Sequence, residues 1–226
     1  MAGIDIKVAL ISLLGGLLPA LLWLWFWLRE DDEKPEPRGL IFLTFLIGML
    51  CVWAVLPIER FLGTFIYNEK VLTIVWAGTE ELIKFIAIYV IALRSHNADE
   101  PIDFAMYMIT GALGFAALEN ALFLIDPITV GDGTVSLLTG NFRFLGAMLL
   151  HAISSGIIGI ALGLSFYRNW FMRRIFLWAG VIGAITLHAT FNFLIINSER
   201  GLFNVFSLLW GVTIIVLLLF EQLRQM

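Results

Sequence analysis

Residues 76–85 read WAGTEELIKF and place Glu80, Glu81 and Lys84 inside a long apolar run. Further along, equally apolar stretches carry Glu119 and Asn120 in GFAALEN, His151 in LLHAISSG, and His188 with Asn192 in LHATFNF. Ionisable groups within hydrocarbon cost a few kcal/mol each (about 3 on insertion scales) and mark function by default. Two histidines and a carboxylate on rigid helices match a catalytic zinc site with three protein ligands and one open position. On that reading Glu119, His151 and His188 are the metal ligands and the ion is Zn2+. Glu80 is the general base on bound water, with Glu81 its neighbour about 100° around the helix, and Asn192 donates to a developing oxyanion. The reaction is a hydrolysis. Ser155 shares a helix face with His151, but a serine–histidine pair lacking a third member is a weak nucleophile signal.

The elements that must position these groups are membrane helices. The chain has 226 residues, 60% of them hydrophobic and 14% charged, with a mean hydropathy of +0.93. A soluble domain carries about 25% charge, and the apolar stretches here are continuous, not alternating as in a barrel. Seven segments are long enough to span: 8–28, 40–58, 71–93, 103–125, 143–167, 174–197 and 202–220. The expected fold is all-α, a polytopic bundle of about seven transmembrane helices forming a single integral membrane domain over 1–226, with a four-helix catalytic core over about 71–197. The first segment is too long for a signal-peptide core and reads as a retained helix. REDDEKPEPRG (29–39) and DPITVGDGTVSLLTGN (126–141) read as loops. No internal repeat points to a transporter of inverted halves.

Net charge is −4 and no basic run is present, which argues against nucleic acid as a partner. The lone Cys51 excludes an internal disulfide and a cysteine-ligated zinc site. If the helices alternate, Lys7, Arg60, Lys70, Arg143 and Arg200 lie on one side. Arg29, Lys34, Arg38, Arg94, Arg168, Arg173, Arg174 and Arg224 lie on the other, eight against five. The excess of basic residues puts the C-terminus in the cytoplasm and the N-terminus outside, in the cell membrane of a prokaryote.

Counted from the non-cytoplasmic face, Glu80, Glu119, His151, His188 and Asn192 fall about five to nine residues deep, a spread of roughly 6 Å. Four helices therefore carry polar groups at one level. The stripes bearing them are lined by small residues: Gly111 before Glu119, Ser155, Gly159 and Gly163 after His151, and Gly180 and Ala184 before His188. Small residues let helices approach closely, so the polar groups lie on packing faces. Each also has a bland reading. Glu80 and Lys84, four apart, could neutralise one another, a single membrane histidine can be a packing residue, and His96 in RSHNADEP is a solvated loop residue. Convergence at one depth is what the bland readings leave unexplained.

EELIK, FAALEN, His151 and HATFN, in this order on four successive helices, resemble the PrsW family of intramembrane proteases. That family is similar to the CAAX prenyl proteases and to the anterior-pharynx-defective subunit of gamma-secretase. The resemblance spans residues 76–193 and implies an endopeptidase acting in or beside a transmembrane segment of a membrane protein substrate within the lipid bilayer. It makes Glu80 the leading catalytic residue and maps the family's histidines onto His151 and His188. Glu119 stands where the CAAX relatives have histidine, which argues against prenylated substrates. A metal-bound water and a glutamate-activated water without metal are both compatible with the motif. A proton- or ion-coupled transporter and a catalytically silent scaffold are the alternatives from other functional classes.

Overall fold

A computed structural model describes residues 5–30, 34–131, 133, 146–196 and 202–226. Among these the chain forms seven α-helices and no strand: α1 Ile6–Arg29, α2 Arg38–Gly63, α3 Glu69–Ile88, α4 Pro101–Val130, α5 Met148–Leu164, α6 Trp170–Ile196 and α7 Leu202–Arg224. Five of them are long and apolar enough to cross a membrane, and α5 is a shorter apolar helix. Helix α3 carries the charged EELIK segment and widens into a π-helical turn over Tyr89–Leu93. The protein is a polytopic helical membrane bundle.

Local sequence explains where the helices begin. Asn68 caps α3 by accepting from the backbone N–H groups of Lys70 and Val71. Glu100 and Asp103 form a reciprocal capping box at the start of α4, with Pro101 in the first helical position, where its missing N–H costs nothing. The segment ahead of α2 is tied to the same end of α4: Lys34 pairs with Glu100, and the Tyr107 hydroxyl donates to Glu36.

Helix α4 is the axle of the bundle. Every residue from Pro101 to Ala117 is buried, and α1, α2 and α5 pack around it. The most apolar stretch of α4 is 72% buried within the protein, against 22% for α1, so α4 is shielded from lipid while α1 faces it. Two close approaches set this packing. A Cβ on Gly48 of α2 would overlap the Gly111 carbonyl of α4, and one on Gly159 of α5 would overlap the Phe104 carbonyl. The small-residue stripe after His151 is therefore the α4–α5 seam. Gly180 of α6 lies in turn against Ala161 of α5.

Two boundaries differ from those expected. Helix α2 runs on past residue 58 to Gly63, through Pro57. Helix α4 continues through Asp126 and Pro127 to Val130 and closes on Gly131, whose φ of 76° is left-handed. Proline inside a membrane helix is tolerated because neighbouring groups satisfy the carbonyl it frees. The remainder of the expected loop, residue 132 and residues 134–141, lies outside the described residues.

Candidate active site

The polar residues of α3, α4, α5 and α6 meet in one place, and they do so in two layers. The inner layer is built on Glu81, which is fully buried. Its Oε1 lies 2.6 Å from Lys84 Nζ and 2.8 Å from His188 Nδ1, and its Oε2 accepts from Ser155 Oγ at 2.7 Å. Lys84 thus pairs three residues back with Glu81, not four back with Glu80. Its Nζ also reaches His151 Nδ1 at 3.1 Å and sits 4.8 Å from the centre of the Phe115 ring. An ammonium with no exposure is tolerated because it is both paired and hydrogen-bonded.

The outer layer faces a cavity of about 430 Å³ lined by Glu80, Glu119, His151, His188, Asn192 and Glu59, among others. The two imidazoles meet edge to face, 4.9 Å between centres. Each has a carboxylate behind it: Glu81 on His188 Nδ1, and Glu119 on His151 Nε2 at 2.9 Å. Their other nitrogens, His188 Nε2 and His151 Nδ1, both lie 3.8 Å from Glu80 Oε2. That oxygen is buried and has no hydrogen-bond partner. An orphaned buried carboxylate oxygen is uncommon and asks for a water, a proton or an ion.

A divalent ion fits this arrangement. One ligand atom each from Glu80, His151 and His188 lie within 4.8 Å of one another. The edges of a tetrahedral zinc site with bonds of about 2.1 Å are near 3.4 Å, so each imidazole nitrogen would have to move about 0.4 Å toward Glu80 Oε2, and Nδ1 of His151 would have to exchange its hydrogen bond from Lys84 for the ion. Carboxylates behind ligating imidazoles are the usual way of fixing the ring and its tautomer. Glu119 lies outside this three-residue grouping, behind His151. The sequence reading has Glu119 as ligand and Glu80 as base, and the two glutamates are neighbours of the same imidazole.

Asn192 lines the cavity one turn beyond His188. Asn120 is buried on α4, and His96 is exposed in a loop, as expected of it. Sequence reasoning missed Glu59. Read as lying just past the end of the second span, beside Arg60, it resembles an ordinary interfacial charge. The extra turn of α2 brings it into the cavity, with its carboxyl against that of Glu80 and close to that of Glu119.

A polytopic helical bundle that holds two imidazoles and several carboxylates around a cavity in its apolar core has the parts that a membrane-embedded hydrolase uses. The chain belongs to the PrsW family of intramembrane metalloproteases, whose family profile matches residues 36–220. It is 28% identical to Protease PrsW of Geobacillus kaustophilus over 204 residues, covering 87% of this chain and 86% of that protein. It is 26% identical to Protease PrsW of Halalkalibacterium halodurans, with 94% and 98% covered, and 25% identical to that of Bacillus subtilis, with 80% of each covered. No solved structure matches the chain significantly. The protein is a peptidase of the membrane.

Proposed function

We propose that the protein is an intramembrane endopeptidase that hydrolyses a peptide bond in or near a transmembrane segment of a membrane protein substrate. It does so with a water held between Glu80, His151 and His188. The observation that carries this is Glu80 Oε2: buried, without a partner, equidistant from two imidazole nitrogens and facing the cavity.

In the reaction Glu80 takes a proton from the water, and the water oxygen attacks the scissile carbonyl. The Asn192 amide donates to the oxyanion that forms. The proton on Glu80 then passes to the leaving amine as the C–N bond breaks. Glu81 and Lys84 stay out of the chemistry. Glu81 holds His188 with Nε2 turned toward the cavity, and Lys84 holds the second imidazole. Zinc, if bound, would be held by Glu80, His151 and His188, and would supply a Lewis acid that acidifies water and polarises the carbonyl. Glu119, which also lines the cavity, would then be the carboxylate that accepts the proton.

The cavity residues Glu59, Thr73 and Ile195 lie at the ends of α2, α3 and α6 that lead into the α2–α3 and α6–α7 connections. With the C-terminus cytoplasmic, the site draws its water from the outer face.

The test is cleavage of a single-span substrate in proteoliposomes, with zinc measured on the same preparations. Wild type is expected to cut, and Glu80→Gln to lose at least about 10²-fold in rate. Full activity in Glu80→Gln sinks the assignment. Zinc lost in Glu80→Gln and kept in Glu119→Gln makes Glu80 the ligand. The reverse pattern makes Glu119 the ligand and Glu80 the base. Activity that survives zinc-free preparation and a strong chelator removes the metal altogether.

A further inference from the structure

Glu59 has no part in the water chemistry above, and its surroundings call for a ligand of their own. Its Oε1 is buried without a hydrogen-bond partner, as is Oε2 of the neighbouring Glu80. Glu80 is itself 93% buried, at 7% exposure, and directed into the same cavity. The Glu59 side chain meets that of Glu80, and the Glu119 carboxylate is the other charge acting on it. Lys84, the buried cation of the site, is already committed to Glu81 and His151. Among the described residues that line the cavity there is no lysine or arginine. Trp76, one turn ahead of Glu80 on α3, donates its indole N–H to the Glu59 backbone carbonyl at 3.3 Å, which ties the ring to α2 at this residue. Trp76 also lines the cavity and is partly exposed.

A carboxylate with an unsatisfied oxygen and an indole ring in the same cavity suit a lysine ammonium or an arginine guanidinium. The cation pairs with the acid and lies against the ring. We propose that Glu59 and Trp76 form a subsite for a basic side chain of the substrate. This deepens the peptidase reading and rests on it. Because the Glu59 carboxyl touches that of Glu80, the basic residue falls within about two residues of the cleaved bond, at ~3.4 Å of extended chain per residue. Preferred substrates then carry Lys or Arg at the boundary of their membrane segment, and an acidic residue there is rejected by the same carboxylates.

The experiment uses single-span peptides in nanodiscs, with Lys, Gln or Glu scanned through the residues flanking the cleaved bond. Expected is one position at which wild type prefers Lys over Gln by about tenfold or more, with Glu the poorest. In Glu59→Gln the preference flattens, and in Glu59→Lys it reverses toward Glu. Binding of the same peptides to the Glu80→Gln variant, read by photo-crosslinking, follows the same order without any cleavage. Equal binding of the Lys and Gln peptides at every position overturns the subsite. So does a Lys preference that survives unchanged in Glu59→Gln. Selective binding with no cleavage by wild type supports the subsite and sinks the peptidase reading, so the two failures are told apart.

Discussion

Glu80 and Glu81 are adjacent and chemically identical, yet the structure assigns them opposite consequences when either loses its charge. Glu81→Gln leaves the Lys84 ammonium buried with no counter-ion, because Oε1 of Glu81 is the carboxylate oxygen within 2.6 Å of it. Removing one partner of a fully buried pair costs about 3–5 kcal/mol. Glutamine's remaining oxygen can accept from Ser155 or His188 but not replace the charge. For a chain of this length each kcal/mol moves the melting temperature by about 2–4 °C, so Glu81→Gln should melt roughly 6–20 °C below wild type. Glu80→Gln removes a charge whose Oε2 has no partner in the fold, and should melt at or above wild type while losing activity. The single buried cysteine, Cys51, provides the assay. Its thiol reacts with a fluorogenic maleimide as the bundle opens, so a temperature ramp in detergent reads unfolding without labelling mutations. The reasoning fails if Glu81→Gln melts within about 2 °C of wild type, less than 1 kcal/mol on the same scale. It fails equally if Glu80→Gln melts as early as Glu81→Gln.

Replacing both members of the buried pair, as in Glu81→Leu with Lys84→Met, should recover most of the lost melting temperature, since an apolar pair of similar volume is often neutral. Proteolysis should stay absent, because His188 loses its orienting carboxylate. Glu119→Gln should keep the fold and lower proteolysis by about 10–100-fold, the usual cost of removing the carboxylate behind a working imidazole, and a rate within twofold of wild type would contradict that role. Gly159→Ala should force α5 away from the Phe104 carbonyl of α4, destabilising by about 1–3 kcal/mol, with a matching fall in the Cys51 melting curve.

The level at which the site lies was readable from the chain because apolar runs make residue counts a ruler, and four helices counted from one face gave nearly the same depth. The faces were readable for a similar reason. Gly159 and Gly180 mark seams, and the neighbouring His151 and His188 inherit that orientation. Which glutamate does what was harder to read. Glu80 and Glu81 differ by 100° around α3, and only the positions of α5 and α6 decide that Glu81 turns into the core and Glu80 toward the cavity. Lys84 could pair with either by helical spacing, and chose the one His188 and Ser155 also hold. Glu59 escaped because Pro57 and Arg60 look like the end of a span. The helix runs a further turn, since a proline costs little where the freed carbonyl finds another partner.

The central position of α4 also bears on how the protein is made. Helix α1 emerges before α4, yet α4, the partner it packs against, enters the membrane only after two further helices have been threaded. The N-terminal helix must therefore wait in lipid, its side chains already suited to that solvent. Helix α4, with Asp103 and Glu119 along its length, enters with much of its surface meant for protein and must be covered on three sides by α1, α2 and the still-unmade α5. Assembly is thus non-sequential, and α7 packs against α4 and α5 only after α5 and α6 are in place. Because α5 and α6 bring both histidines, the nascent protein lacks two of the cavity's polar side chains until both helices are in place.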